Sequence, residues 1–326
     1  MNAPLVSIIL PNFNGAPYLE QALNALVQQP FSTYELIIVD DASTDRSVAI
    51  FEDYAKKYAS IRILRNETNQ GVVITQQRGI AESRGEFIHL TASDDMIEKD
   101  LYTDSVRLLQ KYPAAGLCSS ASRFMNEQGH EIDAAQAKPI VCEEGYWPPA
   151  KSLQYLRTYG SWFWGNTVIY RRSAYDAAQG FRKEFGSYSD NILCQELALK
   201  KGVCYVPRPL GWWRRSTSQY SSQTMAKPDL YLGYVESIAA WMAAQPDHLF
   251  PQDYILLWRR RQIFELARKM MATHAGIEQE VADLIDSHLI PKTRRDQWAI
   301  ALIRHTPFLS RPVLKLLKSQ RMLPSL

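Results

Sequence analysis

From Leu5 to Leu90 the chain alternates short runs of Val, Ile and Leu with stretches whose apolar residues recur at helical spacing. The runs predict strands at Leu5–Leu10, Glu35–Val39, Ile61–Leu64 and Glu86–Leu90, and the periodic stretches predict helices over Pro17–Gln28, Asp45–Tyr58 and Val72–Ser83. Strands that stay apolar without alternating are buried on both faces, which is how a parallel sheet covered by helices reads. The second helix carries a start signal. Ser43 or Thr44 is placed to cap it, and Asp45 falls in the first turn, where the positive end of the helix dipole favours a carboxylate.

Beyond Asp95 the alternation loosens. A helix near Lys99–Lys111 leads to a buried strand near Ala115–Ser120. The segment Asn126–Pro149, punctuated by Gly and Pro, reads as a hairpin or loop excursion. The aromatic run Tyr159-Gly-Ser-Trp-Phe-Trp-Gly165 precedes a strand at Thr167–Tyr170. A helix over Asn191–Lys201 ends at Gly202, a residue suited to the left-handed C-cap, and a short strand follows at Val203–Val206. From Lys227 helical spacing dominates. The organisation predicted is an α/β unit over residues 1–223 with a mostly parallel, Rossmann-like central sheet, and a helical appendage over 224–326 with a basic amphipathic tail.

Composition changes this picture little. The chain has 326 residues, 46% hydrophobic and 22% charged, as in an ordinary globular protein, and its formal charge of +3 is too small to predict nucleic-acid binding. Distribution says more than the sum. Residues 251–326 hold 13 Lys and Arg against 7 Asp and Glu, and the last 17 hold four basic residues and no acid. Val313, Leu316 and Leu317 share one helical face there, so the tail reads either as a helix resting on an anionic membrane surface or as one docked on the catalytic unit. Cys118, Cys142, Cys194 and Cys204 have no metal-site or redox spacing, no run reaches the length of a membrane span, and the N-terminus lacks a secretory pattern. The expected compartment is the cytoplasm.

In a parallel sheet, ligands bind beyond the carboxyl ends of the strands, and here each end is polar. The segments are Pro11-Asn-Phe-Asn14, Asp40-Asp-Ala-Ser-Thr-Asp45, Asn69-Gln-Gly71 and Thr91-Ala-Ser-Asp-Asp95. Each alone is a turn. Together, if the sheet forms, they converge on one crevice.

At this point the chain resembles the family 2 glycosyltransferases of GT-A fold, over roughly residues 5–222. The resemblance rests on Val6-Ser-Ile-Ile-Leu-Pro-Asn-Phe-Asn14, Leu36-Ile-Ile-Val-Asp-Asp-Ala-Ser-Thr-Asp45, Gly85-Glu-Phe-Ile-His-Leu90 leading to Asp94-Asp95, Gly180-Phe-Arg182, and Tyr205-Val-Pro-Arg-Pro-Leu-Gly-Trp-Trp-Arg-Arg215. It implies transfer of a sugar, with inversion, from a nucleoside-diphosphate sugar to an acceptor hydroxyl on a glycan or lipid-linked molecule, in bacterial cell-surface polysaccharide or glycolipid synthesis. A UDP-sugar is the donor expected. The residues expected to bind it are Pro11, Asn12, Phe13, Asp40, Asp41, Asn69, Gly71, Ser93, Asp94, Arg214 and Arg215. Asp94, with Asp95 second, is expected to hold Mg²⁺ or Mn²⁺, since hard cations take carboxylate oxygens. Asp190 is the expected general base.

Each assignment has a structural counterpart: turn formation for Asp40 and Asp41, helix capping for Ser189 and Asp190, and a surface position for the arginines. Trp162, Trp164 and Asn166 form an acceptor platform or belong to the core, and three large rings in a row cannot all face inward from one strand. Three positions depart from the family. Ala92 stands where the first acid of the metal signature is usual, Ser216 where many relatives carry His, and Gln76-Gln77 where Arg-Asn is common. Ala92 and Ser216, with Asn191 in place of the second acid of a pair, keep open a second reading: a glycosyltransferase-like binding or scaffold protein that has lost activity.

Overall fold

The computed structural model describes residues 3–132, 139–216, 220–273, 276–289 and 294–305. These fall into two compact units. One takes in the described residues of Met1–Leu153, Ser161–Lys183 and Tyr188–Ser216, and the other those of Gln154–Gly160, Glu184–Ser187 and Thr217–Leu326.

Along the first unit the order is β1 (Val6–Asn12), α1 (Ala16–Val27), β2 (Tyr34–Asp40), α2 (Ser47–Lys57), β3 (Ile61–Arg65), α3 (Val72–Ala81), β4 (Phe87–Leu90), β5 (Met96–Ile97), α4 (Leu101–Lys111), β6 (Leu117–Met125), β7 (Glu131–Ile132) and β8 (Gly145–Trp147). After α5 (Pro149–Tyr159) come β9 (Ile169–Arg171), α6 (Arg172–Ala177), α7 (Ser189–Lys201) and β10 (Val203–Arg214). The strands form one sheet in the order β3-β2-β1-β4-β9-β6-β10-β5, with β7 on β6 and β8 on β10. β1 to β4 pair in parallel, as their unbroken apolar runs require. Beyond β4 the sheet is mixed. β9 runs antiparallel to both β4 and β6, so β6 and its parallel partner β10 point the same way as β1, β2 and β4. The carboxyl ends of these five strands therefore share one edge, which is what places the site.

α1 turns Leu19, Leu23 and Leu26 into the core formed with Ile8, Leu10, Leu36 and Ile38. Full burial of each such side chain contributes about 1.5–3 kcal/mol. The expected cap of α2 is different in the structure. Neither Ser43 nor Thr44 accepts a cap bond from the helix, and α2 starts at Ser47, where the Asp45 carboxylate accepts the Ser47 N–H at 2.9 Å and the Ala16 N–H of α1 at 3.0 Å. One carboxylate thus serves the first turns of two helices, whose N–H groups lack intrahelical partners. Burial raises its pKa, but those bonds outweigh burial and hold it below the usual carboxylate range.

The second unit contains α8 (Tyr220–Met225), α9 (Pro228–Ala243), α10 (Gln252–Thr273), α11 (Glu278–His288) and α12 (Arg294–His305). Ile263, Phe264, Ala267, Val281, Ile285, Ile300 and Ile303 form its core, and Arg260 pairs with the fully buried Asp296. Arg261 of α10 donates to the carbonyls of Leu156 and Arg157 in the last turn of α5. Among the described residues no helix is long and apolar enough to cross a membrane. The tail around Val313, Leu316 and Leu317 lies outside the described residues.

Candidate active site

The exits of β1 and β2 are stitched together. The Asp41 N–H donates to the Asn12 carbonyl at 2.8 Å, and the Asn12 amide donates to Ser43 Oγ at 3.0 Å and to Asp40 Oδ1 at 3.4 Å. Asn14 and Ala42 take the left-handed conformation, and Asn14 Oδ1 accepts the Thr44 N–H at 2.8 Å. Asp40 is fully buried, receives the Ser43 N–H, and has Arg65 at 3.8 Å. Pro11 is buried in the same turn, whereas Phe13 projects from it half-exposed.

Asp41 faces the exit of β3. Its carboxylate accepts from the Asn66 amide at 2.6 Å and from the backbone N–H groups of Gln70 and Gly71 at 2.8 and 2.9 Å. Asn69 Oδ1 accepts from the same Gly71 N–H. Both oxygens are therefore committed to holding the 66–71 loop.

The exit of β4 meets that of β1 at Gly15. A Cβ there would lie 2.4 Å from Asn12 Oδ1 and 2.7 Å from Ser93 Oγ, so only glycine permits the approach. Among the described residues Asn12 Oδ1 is buried without a hydrogen-bond partner. Beyond Ser93 stands the half-buried Asp94, then Asp95, whose Oδ1 accepts the Arg214 N–H at 2.9 Å. Burial, and next the adjacent Asp94 carboxylate, push Asp95 well above its usual range. Among the described residues no three His, Cys, Asp or Glu side chains gather into a metal cage. One accessible carboxylate beside a second, buried one fits a Mg²⁺ or Mn²⁺ ion that is completed by diphosphate oxygens and water, which is how these cations are usually held.

The third part of the site lies where β6, β9 and β10 meet. A 3-10 turn at Gly165–Thr167 sets Asn166 against Ser122 Oγ at 3.2 Å. A Cβ on Gly165 would come within 2.8 Å of Asp190 Oδ2. Asp190 opens α7 half-buried, with its Oδ1 accepting the Asn191 N–H at 2.6 Å, and burial raises its pKa. Neither capping role expected nearby is observed. Ser189 instead exchanges bonds with the backbone of Arg182, and Arg182 in turn pairs with the buried Glu196 at 3.0 Å. Asn191 is committed to Ser161 and Gln195.

Of the aromatic run, Trp162 is turned inward, 3% exposed and edge-on to Trp147 at 5.7 Å. Trp164 remains half-exposed, 5.1 Å from Phe124 and 5.6 Å from Trp213. Arg215 lies over the Phe124 ring at 4.1 Å, and Arg214 is buried.

A residue without any spacing signal supports this corner. His89 of β4 is wholly buried, with Nδ1 2.8 Å from the Tyr102 hydroxyl and Nε2 3.2 Å from the Asn166 carbonyl. A carbonyl only accepts, so Nε2 carries the proton and Nδ1 accepts from Tyr102. Burial pushes the imidazole down from 6.5 to about 4, and the bond to Asn166 offsets this only in part. The unfolded chain thus binds a proton that the folded one refuses. Stability is expected to fall as pH drops from 6.5 toward 4, by about 3 kcal/mol at 1.4 kcal/mol per unit. Urea denaturation of His89→Leu across that window should show this slope removed, together with a loss of about 1–3 kcal/mol at pH 7.

Hydrogen bonds and close approaches follow one another here: Asp40 to Asn12, Asn12 and Ser93 both beside Gly15, Asp95 to Arg214, Asn166 beside Gly211, and Asp190 beside Gly165. These residues lie along the carboxyl edge of an α/β sheet, the edge at which such sheets bind their ligands.

The wider comparison agrees. The structure of Staphylococcus aureus TarS 1–349 in complex with UDP superposes with a TM-score of 0.66 at 17% identity, covering 96% of this chain and 90% of that one. The mannosyltransferase PcManGT from Pyrobaculum calidifontis, in complex with GDP-Man and Mn²⁺, gives 0.60 at 16% identity, with 98% and 86% covered. The fold is therefore GT-A. In sequence, EpsH of Bacillus subtilis (strain 168), named as a glycosyltransferase, is 31% identical over 221 residues, 66% of this chain and 62% of EpsH. The chain spans less than two thirds of the length of EpsJ of Bacillus subtilis, of a glycosyltransferase of Haemophilus influenzae and of EpsH, all of which it matches in sequence. The profile described as Glycosyl transferase family 2 matches residues 7–177, more than half of the chain, and the chain belongs to that family.

Proposed function

We propose that this protein transfers a sugar, with inversion, from a UDP-sugar to a hydroxyl of a glycan or lipid-linked acceptor in bacterial cell-surface polysaccharide synthesis, and that residues 1–223 are its catalytic domain. The observation that carries the reading is the run of hydrogen bonds and close approaches at Asp40, Asn12, Ser93, Asp95, Arg214 and Asp190 along one sheet edge. Phe13 offers its ring to the base, with Pro11 beneath it, and Asp40 and the unpartnered Asn12 Oδ1 accept from base or ribose donors. Asp41 acts through the loop it holds, so that Asn69 and Gly71 border the nucleoside.

Asp94, with Asp95 behind it, holds Mg²⁺ or Mn²⁺. That ion supplies neutralisation of the charge that develops on the leaving diphosphate. Arg215, stacked on Phe124 and half-exposed, adds positive charge that can face phosphate oxygens. Asp190 takes the proton of the acceptor hydroxyl as it attacks the anomeric carbon. Trp164 offers the acceptor sugar a ring face, and the buried Trp162 and Asn166 hold the turn from which it projects. The basic tail brings the enzyme to the anionic inner face of the plasma membrane, where lipid-linked acceptors reside.

Turnover of a panel of UDP-sugars, measured with and without Mn²⁺ and with and without anionic vesicles, tests the reading. Metal-dependent hydrolysis or transfer of one donor, and sedimentation with the vesicles, are expected. Absence of turnover together with tight UDP binding would favour the scaffold reading that Ala92 and Ser216 raise.

A further inference from the structure

Arg214 ends β10, and its side chain turns into the protein with only 1% of its surface exposed. Burying a guanidinium is costly unless each N–H is matched, and here the matches are unusually informative. Nε donates to the Asp94 carbonyl at 2.9 Å, Nη1 to the carbonyls of Asn126 and Glu127 at 3.0 Å each, and Nη2 to Gln21 Oε1 on α1 at 2.7 Å. The guanidinium lies 4.4 Å from the centre of the Tyr18 ring, also on α1. The backbone N–H of the same residue donates to Asp95 Oδ1 at 2.9 Å. One residue therefore grips the Asp94 carbonyl and the Asp95 carboxylate, and anchors them to α1 on one side and to the turn after β6 on the other.

From this geometry we infer that Arg214 is a positioning residue that sets the Asp94–Asp95 turn, and that it is not a ligand of the donor phosphates. The inference rests on the reading of Asp94 as the carboxylate that holds a divalent cation. A phosphate cannot approach a side chain so buried and so engaged without breaking the bonds that hold the turn. The adjacent Arg215 is half-exposed and lies over Phe124, so the two arginines of this pair do different work. The planar fork is essential, because the acceptors lie around it in several directions and a lysine ammonium cannot reach them all from one point.

The cation should therefore depend on residues that never meet the donor. Groups that orient a metal ligand typically influence affinity by about 10- to 100-fold. Arg214→Lys keeps the charge and loses the fork, while Gln21→Leu removes one anchor from α1. Calorimetric titration of each folded variant with UDP, in Mn²⁺ and in excess chelator, reads the effect without turnover.

In Mn²⁺ both variants should bind UDP more weakly, Arg214→Lys by about 10- to 100-fold and Gln21→Leu in the same direction by less. In chelator both should match the wild type. Arg215→Gln should weaken binding in both media. Equal weakening of Arg214→Lys with and without Mn²⁺, with Gln21→Leu unchanged, would mark Arg214 as a direct phosphate ligand and overturn the inference. If the wild type itself binds UDP equally well in both media, the reading of Asp94 fails instead. Should Arg214→Lys not fold, Gln21→Leu against the wild type carries the same comparison.

Discussion

Asp94→Ala is expected to abolish metal-dependent donor binding, lowering UDP affinity in Mn²⁺ to the level seen in chelator, a loss of about a hundredfold or about 2.8 kcal/mol. The reason lies in how few carboxylates the site offers. Ala92 removes one possible oxygen ligand, Ser216 replaces an imidazole, and no cage of three acidic, His or Cys ligands exists among the described residues. Asp95 already accepts from the Arg214 backbone and sits buried, whereas Asp94 is half-exposed and can face a cation. Its backbone carbonyl, not its carboxylate, is what Arg214 Nε holds, so truncation to Ala leaves that bond intact. Calorimetry against the wild type is decisive: an unchanged affinity in Mn²⁺ would remove Asp94 from the metal site.

What could be read in advance follows physical lines. β1, β2 and β4 are legible because continuous burial on both faces leaves an apolar signature, and β3, an edge strand, because Ile61, Ile63 and Leu64 still form a short apolar run. β10 was expected to stop at Val206 yet runs to Arg214, since Pro207 and Pro209 suggest a break, and the structure absorbs them through register shifts at Val206, Pro209 and Gly211. β5, β7 and β8 have only two or three residues, too few for a period to show. α5 was missed because its pattern follows directly on a loop-like segment.

The site divides the same way. Acids at strand ends are visible in sequence, but what each does depends on contacts across long separations. Asp41 and Arg214 carry the residue types of ligands, and their hydrogen bonds run to partners as distant in the chain as Gln70 and Gln21. Trp162 and Trp164 look equivalent, and only packing against Trp147 tells the buried ring from the accessible one. His89 gave no signal because a single buried imidazole has no spacing at all.

Asp190→Asn is expected to leave UDP binding unchanged while lowering kcat by about 10²- to 10⁴-fold, the share a positioned general base commonly supplies. The substitution is isosteric, and the Asn191 N–H that donates to Oδ1 would find an amide oxygen in the same place, so α7 keeps its start. Only the ability to accept a proton disappears. Burial already raises the pKa of this carboxyl, which makes its ionised form a stronger base than a surface aspartate. Because the base works only when deprotonated, the rate should fall on acidification, with the midpoint of the acid limb above the usual carboxylate range. A limb at the ordinary carboxylate value, or an Asn variant that transfers sugar at the wild-type rate, would assign the proton to another group. Gly165 bears on the same result, since its bare Cα is what lets Asp190 Oδ2 approach the turn that follows Trp164.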